Sequence, residues 1–386
     1  MEDSCNSIND LPRSARLHRA LSRDPTIQLG SLVAPSGDRT RSKGETLNIL
    51  LTTHFHTTDA MEGGWHLQLP AVPVVWTGRW LRKLLLTKEW HEQLTHLPPY
   101  KIPGVDGIFP ALLQEGWEVL IPHLVRIFRA CLATGYVPRI WHQVKVVFIP
   151  KPSRNSYCGP KDFRPISLTS FLLKTMERLV DRFLRDDLLA LRPLHPNQHA
   201  YQPGKSVDTA LYQLVVRVEK AIDQQEIALG IFLDIEGAFN NTSYDSMCAA
   251  LTRHGVDCTI VRLIRATLEG RLAAATLGDV TRSVVVTRGC PQGGVLSPLL
   301  WCLVVYELLA GLNGGGVYAQ GYADDICRLA VGKLPNTVSG LIQWPLHTVE
   351  TWCDGLGLSV NPDKTGLVAF TRRRNFPGPC QSNIWE

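Results

Sequence analysis

The run IALGIFLDI, Ile227 to Ile235, carries one charged side chain in nine residues. A segment that short and that apolar has no polar face to offer water, so it reads as an interior strand covered on both sides. Its single carboxylate, Asp234, then ends a buried strand. About ninety residues later VYAQGY and ICRLAV form two short strand-like segments around Ala323, Asp324 and Asp325, which makes the acidic pair a hairpin tip. Asp is a common turn residue, and Asp234 alone reads as a strand-ending turn. The triple asks for more, because adjacent strands of one sheet bring all three carboxylates together.

Clustered carboxylates repel, and each favours protonation unless a cation neutralises them. Hard oxygen ligands of this kind select Mg²⁺, with Mn²⁺ as a possible substitute. Two such ions activate an attacking 3′-hydroxyl and stabilise a departing pyrophosphate, which is nucleotidyl transfer.

The remaining chain reads as helices mixed with an antiparallel sheet, an α+β class. Helices are expected over Arg79–His96, Gly116–Thr134, Leu168–Leu191, Ser206–Gln225, Ser243–His254, Asp257–Leu268, Ser297–Leu312 and Thr337–Cys353. Strands are expected at Val144–Pro150, Arg271–Leu277, Arg282–Arg288 and Gly366–Thr371. The first 65 or so residues, rich in Ser, Thr, Gly and Arg, read as loop or linker.

Charge separates the segments. Pro98 to Lys205 holds 15 Lys/Arg against 8 Asp/Glu, whereas the first 97 residues hold 11 against 10 and the part from Ser206 holds 14 against 17. The basic surplus of the middle suits a polyanionic partner. The 10 Cys include no Cys-x-x-Cys pair and the first residues are polar, so the expectation is an intracellular protein without a disulfide scaffold. Cys290 and Cys302 read as small buried hydrophobes. No run is expected to span a membrane. His54, His56, His91 and His96 lack partners at metal spacing and read as surface residues.

FLDIEGAF, GCPQGGVLSP and YADD, in that order and about fifty and thirty residues apart, resemble the palm motifs of reverse transcriptases. KIPGVDGI, FRPISLTSFLLKTMERLV, HPNQHAYQPGKS and GLSVNPDKT narrow the resemblance to non-LTR (LINE-type) retrotransposon enzymes, particularly the jockey-like groups. It covers Pro98 to Arg374. The resemblance implies a right-hand polymerase: a linker or pre-polymerase region over 1–97, basic fingers over 98–226, a palm over 227–374 with an antiparallel sheet packed on helices, and a tail over 375–386. The thumb, and an upstream endonuclease, look to be missing from this chain.

It further implies that Asp234, Asp324 and Asp325 bind two Mg²⁺ ions, with the Ile235 carbonyl beside them. Phe239 falls at the steric-gate position that excludes a ribose 2′-hydroxyl. Gln292 and Gly293 fall in a loop that approaches nucleotide or template, and Lys151 and Arg164 where the incoming triphosphate is held. Lys364 matches a lysine that protonates pyrophosphate. The implied partners are an RNA template, a DNA primer or target and dNTPs, with nucleus and cytoplasm as the place of action and no membrane.

Three features depart from the pattern. Asn240 and Asn241 stand where an Asp is common, Tyr306-Glu307 is unusual for its helix, and Arg328 interrupts the strand after the acidic pair. Two rival readings are a catalytically silent fragment that at most binds RNA, and a metal-dependent nuclease. The nuclease leaves GCPQGG and Lys364 unexplained.

Overall fold

The computed structural model describes residues 29–58, 92–95, 97–152, 156–314 and 317–373. In chain order the main elements are α1 (Lys43–His54), β1 (Thr57–Thr58), α2 (Trp117–Thr134), β2 (Gln143–Pro150), β3 (Phe163–Leu168) and α3 (Phe171–Phe183). There follow α4 (Val207–Asp223), β4 (Ile227–Glu236), α5 (Tyr244–Arg253), α6 (Cys258–Leu268), β5 (Arg271–Leu277) and β6 (Val280–Val286). The chain continues through α7 (Ser297–Gly314), β7 (Tyr318–Tyr322), β8 (Asp325–Gly332), α8 (Pro335–Leu356), β9 (Ser359–Val360) and β10 (Gly366–Phe370). The class is α+β. The chain divides into two compact units, one of residues 1–184 with 257–296 and one of residues 185–256 with 297–386.

The first unit is built on a five-stranded sheet of order β1-β6-β5-β2-β3. Its pairs are antiparallel except β2 with β5, where Gln143 to Lys145 run parallel to Leu272 to Ala274. Alternation along β2 turns Val144, Val146 and Phe148 inward, against Leu47, Leu50 and Leu51 of α1. Over Lys43–His54 this corrects the reading of the first 65 or so residues as loop or linker, since α1 is a core helix whose three leucines have no exposed surface. Ser42 caps it by accepting from the Glu45 N–H, a start signal that the surrounding Thr and Gly conceal in the sequence. His54, expected at the surface, is half-buried beside the Phe148 ring with Nε2 2.9 Å from the Pro160 carbonyl. Burial lowers its pKa first, ahead of the nearby lysines. His91 and His96 lie outside the described residues, as does all but Glu92–Thr95 of the helix expected over Arg79–His96.

The second unit is built on an antiparallel sheet of order β10-β4-β8-β7, with β9 pairing the far end of β4. As its unbroken apolarity requires, β4 is covered on both faces. Ala228 and Phe232 meet Leu214, Val218 and Ala221 of α4 across one face, together with Cys327 and Leu329 of β8. On the other face a Cβ placed at Gly321 of β7 would meet both Ile326 of β8 and Leu309 of α7, each 3.4 Å away. Helix α7 is apolar enough, and at 18 residues long enough, to cross a membrane by length and composition, contrary to the expectation that no run approaches that. Here 61% of it is buried inside the protein, the behaviour of a core helix. Cys290 and Cys302 are buried, as small hydrophobes would be.

Arg328 lies on the α7 face of β8, between Ile231 of β4 and Ala319 of β7 in register. It is 4% exposed, and its buried Nε and Nη1 find no hydrogen-bond partner. Burial pushes its pKa down to about 10. A charge held this way opposes folding, and apolar replacements of buried charged groups are commonly neutral or stabilising. Arg328→Leu is therefore expected to raise the free energy of unfolding by about 1–3 kcal/mol, read as a higher urea midpoint with unchanged slope.

Candidate functional site

The pairing of β4 with β8 puts Asp234 directly opposite Asp325. β8 in turn pairs with β7 so that Tyr322 faces Asp325, leaving Ala323 and Asp324 as a two-residue turn. Ala323 adopts φ +54°, the left-handed geometry that such tight turns demand and that Ala adopts at a cost. Two hydrogen bonds hold it there. The Ala323 carbonyl accepts from the Trp301 indole N–H at 2.6 Å, and the Asp324 carbonyl accepts from the Ile235 N–H at 3.1 Å. The acidic tip is thus fastened both to the core helix α7 and to the strand carrying Asp234.

A fourth charged group completes the cluster. Asn361 donates its N–H to the Asp234 carbonyl at 2.9 Å and its side chain accepts from the Asp363 N–H, forming a short turn over Pro362–Lys364. That turn aims Lys364 back at the strand end, with Nζ 2.7 Å from Asp234 Oδ1. The Asp234 side chain is 16% exposed and that of Lys364 56%. Asp325 keeps contact with solvent, yet its pKa is raised, first by partial burial and then by the Asp324 and Asp234 carboxylates, while Lys364 pulls the other way. A cavity of about 390 Å³ adjoins the cluster, walled by Leu211 and Leu214 of α4, Phe232 of β4 and Tyr322 of β7.

Among the described residues no three His, Cys, Asp or Glu side chains close into a metal cage. Lys364 occupies one Asp234 oxygen, which leaves an open acidic edge. Such an edge fits Mg²⁺, which binds through one or two carboxylates and completes its shell with substrate phosphates and water.

After β4 the chain reverses at Gly237, φ +68°, where a Cβ would collide with the Asn241 amide. The short helix Ala238–Asn241 then presents Phe239, whose ring centroid lies 6.3 Å from those of Tyr201 and Trp301. Asn241, one of the departures noted in the sequence, packs back over this turn. Asp234, Ile235, Phe239, Asp324, Asp325 and Lys364 all belong to the second unit.

Lys151, Arg164, Gln292 and Gly293 belong to the first unit. Arg164 is exposed on β3 opposite Ile149, and Lys151 follows the end of β2, its N–H donated to the Asp162 carbonyl at 2.8 Å. The Gln292 carbonyl accepts from the Ser167 N–H at 2.8 Å. Gly293, at φ +112°, passes so close to β3 that a Cβ would sit 2.9 Å from the Ser167 carbonyl oxygen. Glycine is required there by both backbone and space.

Sequence reasoning passed over Trp301 and Asn361. The signal for Trp301 is an indole, with an N–H that needs a partner, inside an otherwise apolar helix. That for Asn361 is its place before Pro362 and Asp363, an Asx-capped turn.

Residues 149–379 match the family model described as reverse transcriptase (RNA-dependent DNA polymerase). Over 380 residues the chain is 26% identical to a Drosophila melanogaster protein named "Probable RNA-directed DNA polymerase from transposon BS", covering 93% of this chain and 40% of the relative. It is 27% identical over 328 residues to the RNA-directed DNA polymerase from mobile element jockey of Drosophila funebris, 83% of this chain and 34% of the relative. It is 30% identical over 281 residues to the Pol polyprotein from type-1 retrotransposable element R2 of Popillia japonica, 69% of this chain and 37% of the relative. The chain thus spans two fifths or less of each of these proteins.

The half-exposed Lys364–Asp234 pair is expected to couple by about 1 kcal/mol, more than a fully solvated ion pair averages. A double-mutant cycle with Lys364→Met and Asp234→Asn, followed by urea unfolding, measures that coupling, and it should weaken in high salt.

Proposed function

Because the chain belongs to the reverse transcriptase (RNA-dependent DNA polymerase) family and is homologous to the polymerases of non-LTR retrotransposons, we propose that it extends a DNA primer on an RNA template with dNTPs. The observation that carries this reading is the facing of Asp234 and Asp325 across β4 and β8, with Asp324 on the adjoining turn. Asp234, Asp324 and Asp325 would hold two Mg²⁺ ions, or Mn²⁺ in their place, with the Ile235 carbonyl beside them. Bound there, the metal supplies charge neutralisation at the triphosphate and a more acidic primer hydroxyl.

The chain's own groups have separable tasks in this reaction. The three carboxylates fix a negative edge at the end of a rigid sheet, so little reorganisation accompanies the arrival of cations. Lys364, already paired with Asp234, delivers a proton to the departing pyrophosphate. Phe239 blocks the ribose 2′ position and thereby favours deoxynucleotides. Lys151 and Arg164 hold triphosphate oxygens through charge-assisted hydrogen bonds, and Gln292 with Gly293 offers an uncrowded loop to nucleotide or template.

In this reading 98–226 supply the fingers and 227–374 the palm. The compact units exchange two segments across that boundary, since 185–226 join the unit of the acidic cluster and 257–296 the other. A second reading, a catalytically silent relative that at most binds RNA, draws support from one observation, the buried and unpartnered nitrogens of Arg328 behind the acidic hairpin.

The two readings separate in a primer-extension assay with oligo-dT on poly-rA, dTTP and Mg²⁺. The intact chain should incorporate dTTP, and Asp324→Ala/Asp325→Ala, shown folded by circular dichroism, should lose about 10³-fold or more, the scale of several kcal/mol of charge stabilisation. Incorporation no greater than in the double variant would reject polymerase activity. Phe239→Ala is expected to raise ribonucleotide use relative to deoxynucleotide by about tenfold or more, and an unchanged ratio would reject the steric role.

A further inference from the structure

The loop from Gly289 to Gly294 is short, contains three glycines and turns through positive φ at Gly289 and Gly293. A segment of that composition has many conformations to lose on ordering. Two buried charged side chains, neither part of the site described above, grip it at its ends. Arg271, first residue of β5 and 4% exposed, donates Nη2 to the Arg288 carbonyl at 3.2 Å and to the Gly289 carbonyl, while its Nε donates to the Leu268 carbonyl at 2.8 Å. Glu177, on the inner side of α3 and 5% exposed, accepts from the Val295 N–H through Oε2 at 3.0 Å. Between these ends lies the bond from the Ser167 N–H to the Gln292 carbonyl.

Burying a carboxylate and a guanidinium is expensive unless both are satisfied. Glu177 faces Lys174 and Asp181 of its own helix and Arg271 from β5; burial raises its pKa to about 7, against the Val295 amide, Lys174 and Arg271, which lower it, and with a smaller upward push from Asp181. Simple packing would be served as well by an apolar residue. What the two charged groups add is direction, since each reaches a backbone group at one edge of the same loop. Both ends and the middle of the loop are consequently tied to β3, α3 and β5, and Gln292 is left half-buried on a fixed backbone.

We propose that Glu177 and Arg271 are positioning residues for the Gly289–Gly294 loop, holding Gln292 in the one orientation in which it meets the incoming nucleotide or its template partner. This rests on the polymerase reading for its kinetic consequence but not for its structural one. The loop is held whether or not the chain is active.

The experiment has two arms on the full chain. Hydrogen exchange compares wild type, Glu177→Ala and Glu177→Gln. The Ala variant should speed amide exchange over 289–296 about tenfold, the scale of one lost hydrogen bond to a charged group, with β2, β3 and β5 unchanged, and Gln should restore protection. Steady-state primer extension should show KM for dTTP raised about tenfold in Glu177→Ala with kcat within about twofold. In a Gln292→Ala background the same change should raise KM less than about twofold, because the effect passes through Gln292. Faster exchange spread over the whole unit, full multiplication of the KM effects in the double variant, or no rescue by Gln would each overturn the proposal. If Glu177→Ala does not fold, Arg271→Lys carries the same test, keeping the charge but losing the fork that reaches two carbonyls. A wild type that incorporates nothing would overturn the polymerase reading alone, and the exchange arm would still decide whether the loop is held.

Discussion

Two carboxylates set face to face at the end of a sheet repel each other, and in this protein the register of β4 against β8 imposes that opposition on Asp234 and Asp325. The register is not free to slip. A shift by one residue would swap the two faces, setting Ile231, Leu233 and Ile326 against α4 and carrying Asp234 into the opposite packed layer. Burial of β4 on both sides therefore fixes the electrostatics of the strand end, and the surrounding structure answers it. Lys364 supplies a counter-charge, Trp301 and the Ile235 amide hold the turn that bears Asp324, and Gly237 starts the reversal that brings Phe239 back toward Trp301.

Much of this was legible in the residues because local rules and tertiary packing agree. The apolar run of β4 has one solution, the acidic pair between two short apolar segments is a hairpin tip, and Ser206, Asp257 and Gly255 mark helix ends where the structure has them. Helix α1 was hidden because its leucines are diluted by Thr and Gly, and only the sheet they pack against reveals them as core. The parallel contact of β2 with β5 pairs Gln143 with Leu272, far apart in the chain, which no local pattern encodes.

The grip on the Gly289–Gly294 loop was illegible for a different reason. Glu177 sits in a helix whose sequence is amphipathic in the ordinary way, and a glutamate there reads as solvated until a backbone amide is found beside it. Arg328 was legible as an anomaly, but its location was not. The sequence marks a charge in an apolar strand, and the structure adds that two of its nitrogens stay buried without partners. Polar groups in cores are where pattern reading fails, since their meaning depends on partners distant in the chain.

The route by which Lys364 reaches Asp234 gives the cluster a history. The lysine rides on the turn between β9 and β10, and both strands pair with β4. Asp234 and Lys364 are separated by 130 residues, and closing so long a loop is slow compared with forming the local hairpin of β7 and β8. In a chain made from its amino end, Asp234, Asp324 and Asp325 are all synthesised before Lys364. Without β10 and Lys364 in place, β4 would have an unpaired edge and Asp234 no counter-charge, a state open to capture by other chains. The docking of β10 ends both conditions at once, so completion of the sheet and completion of the site are one event.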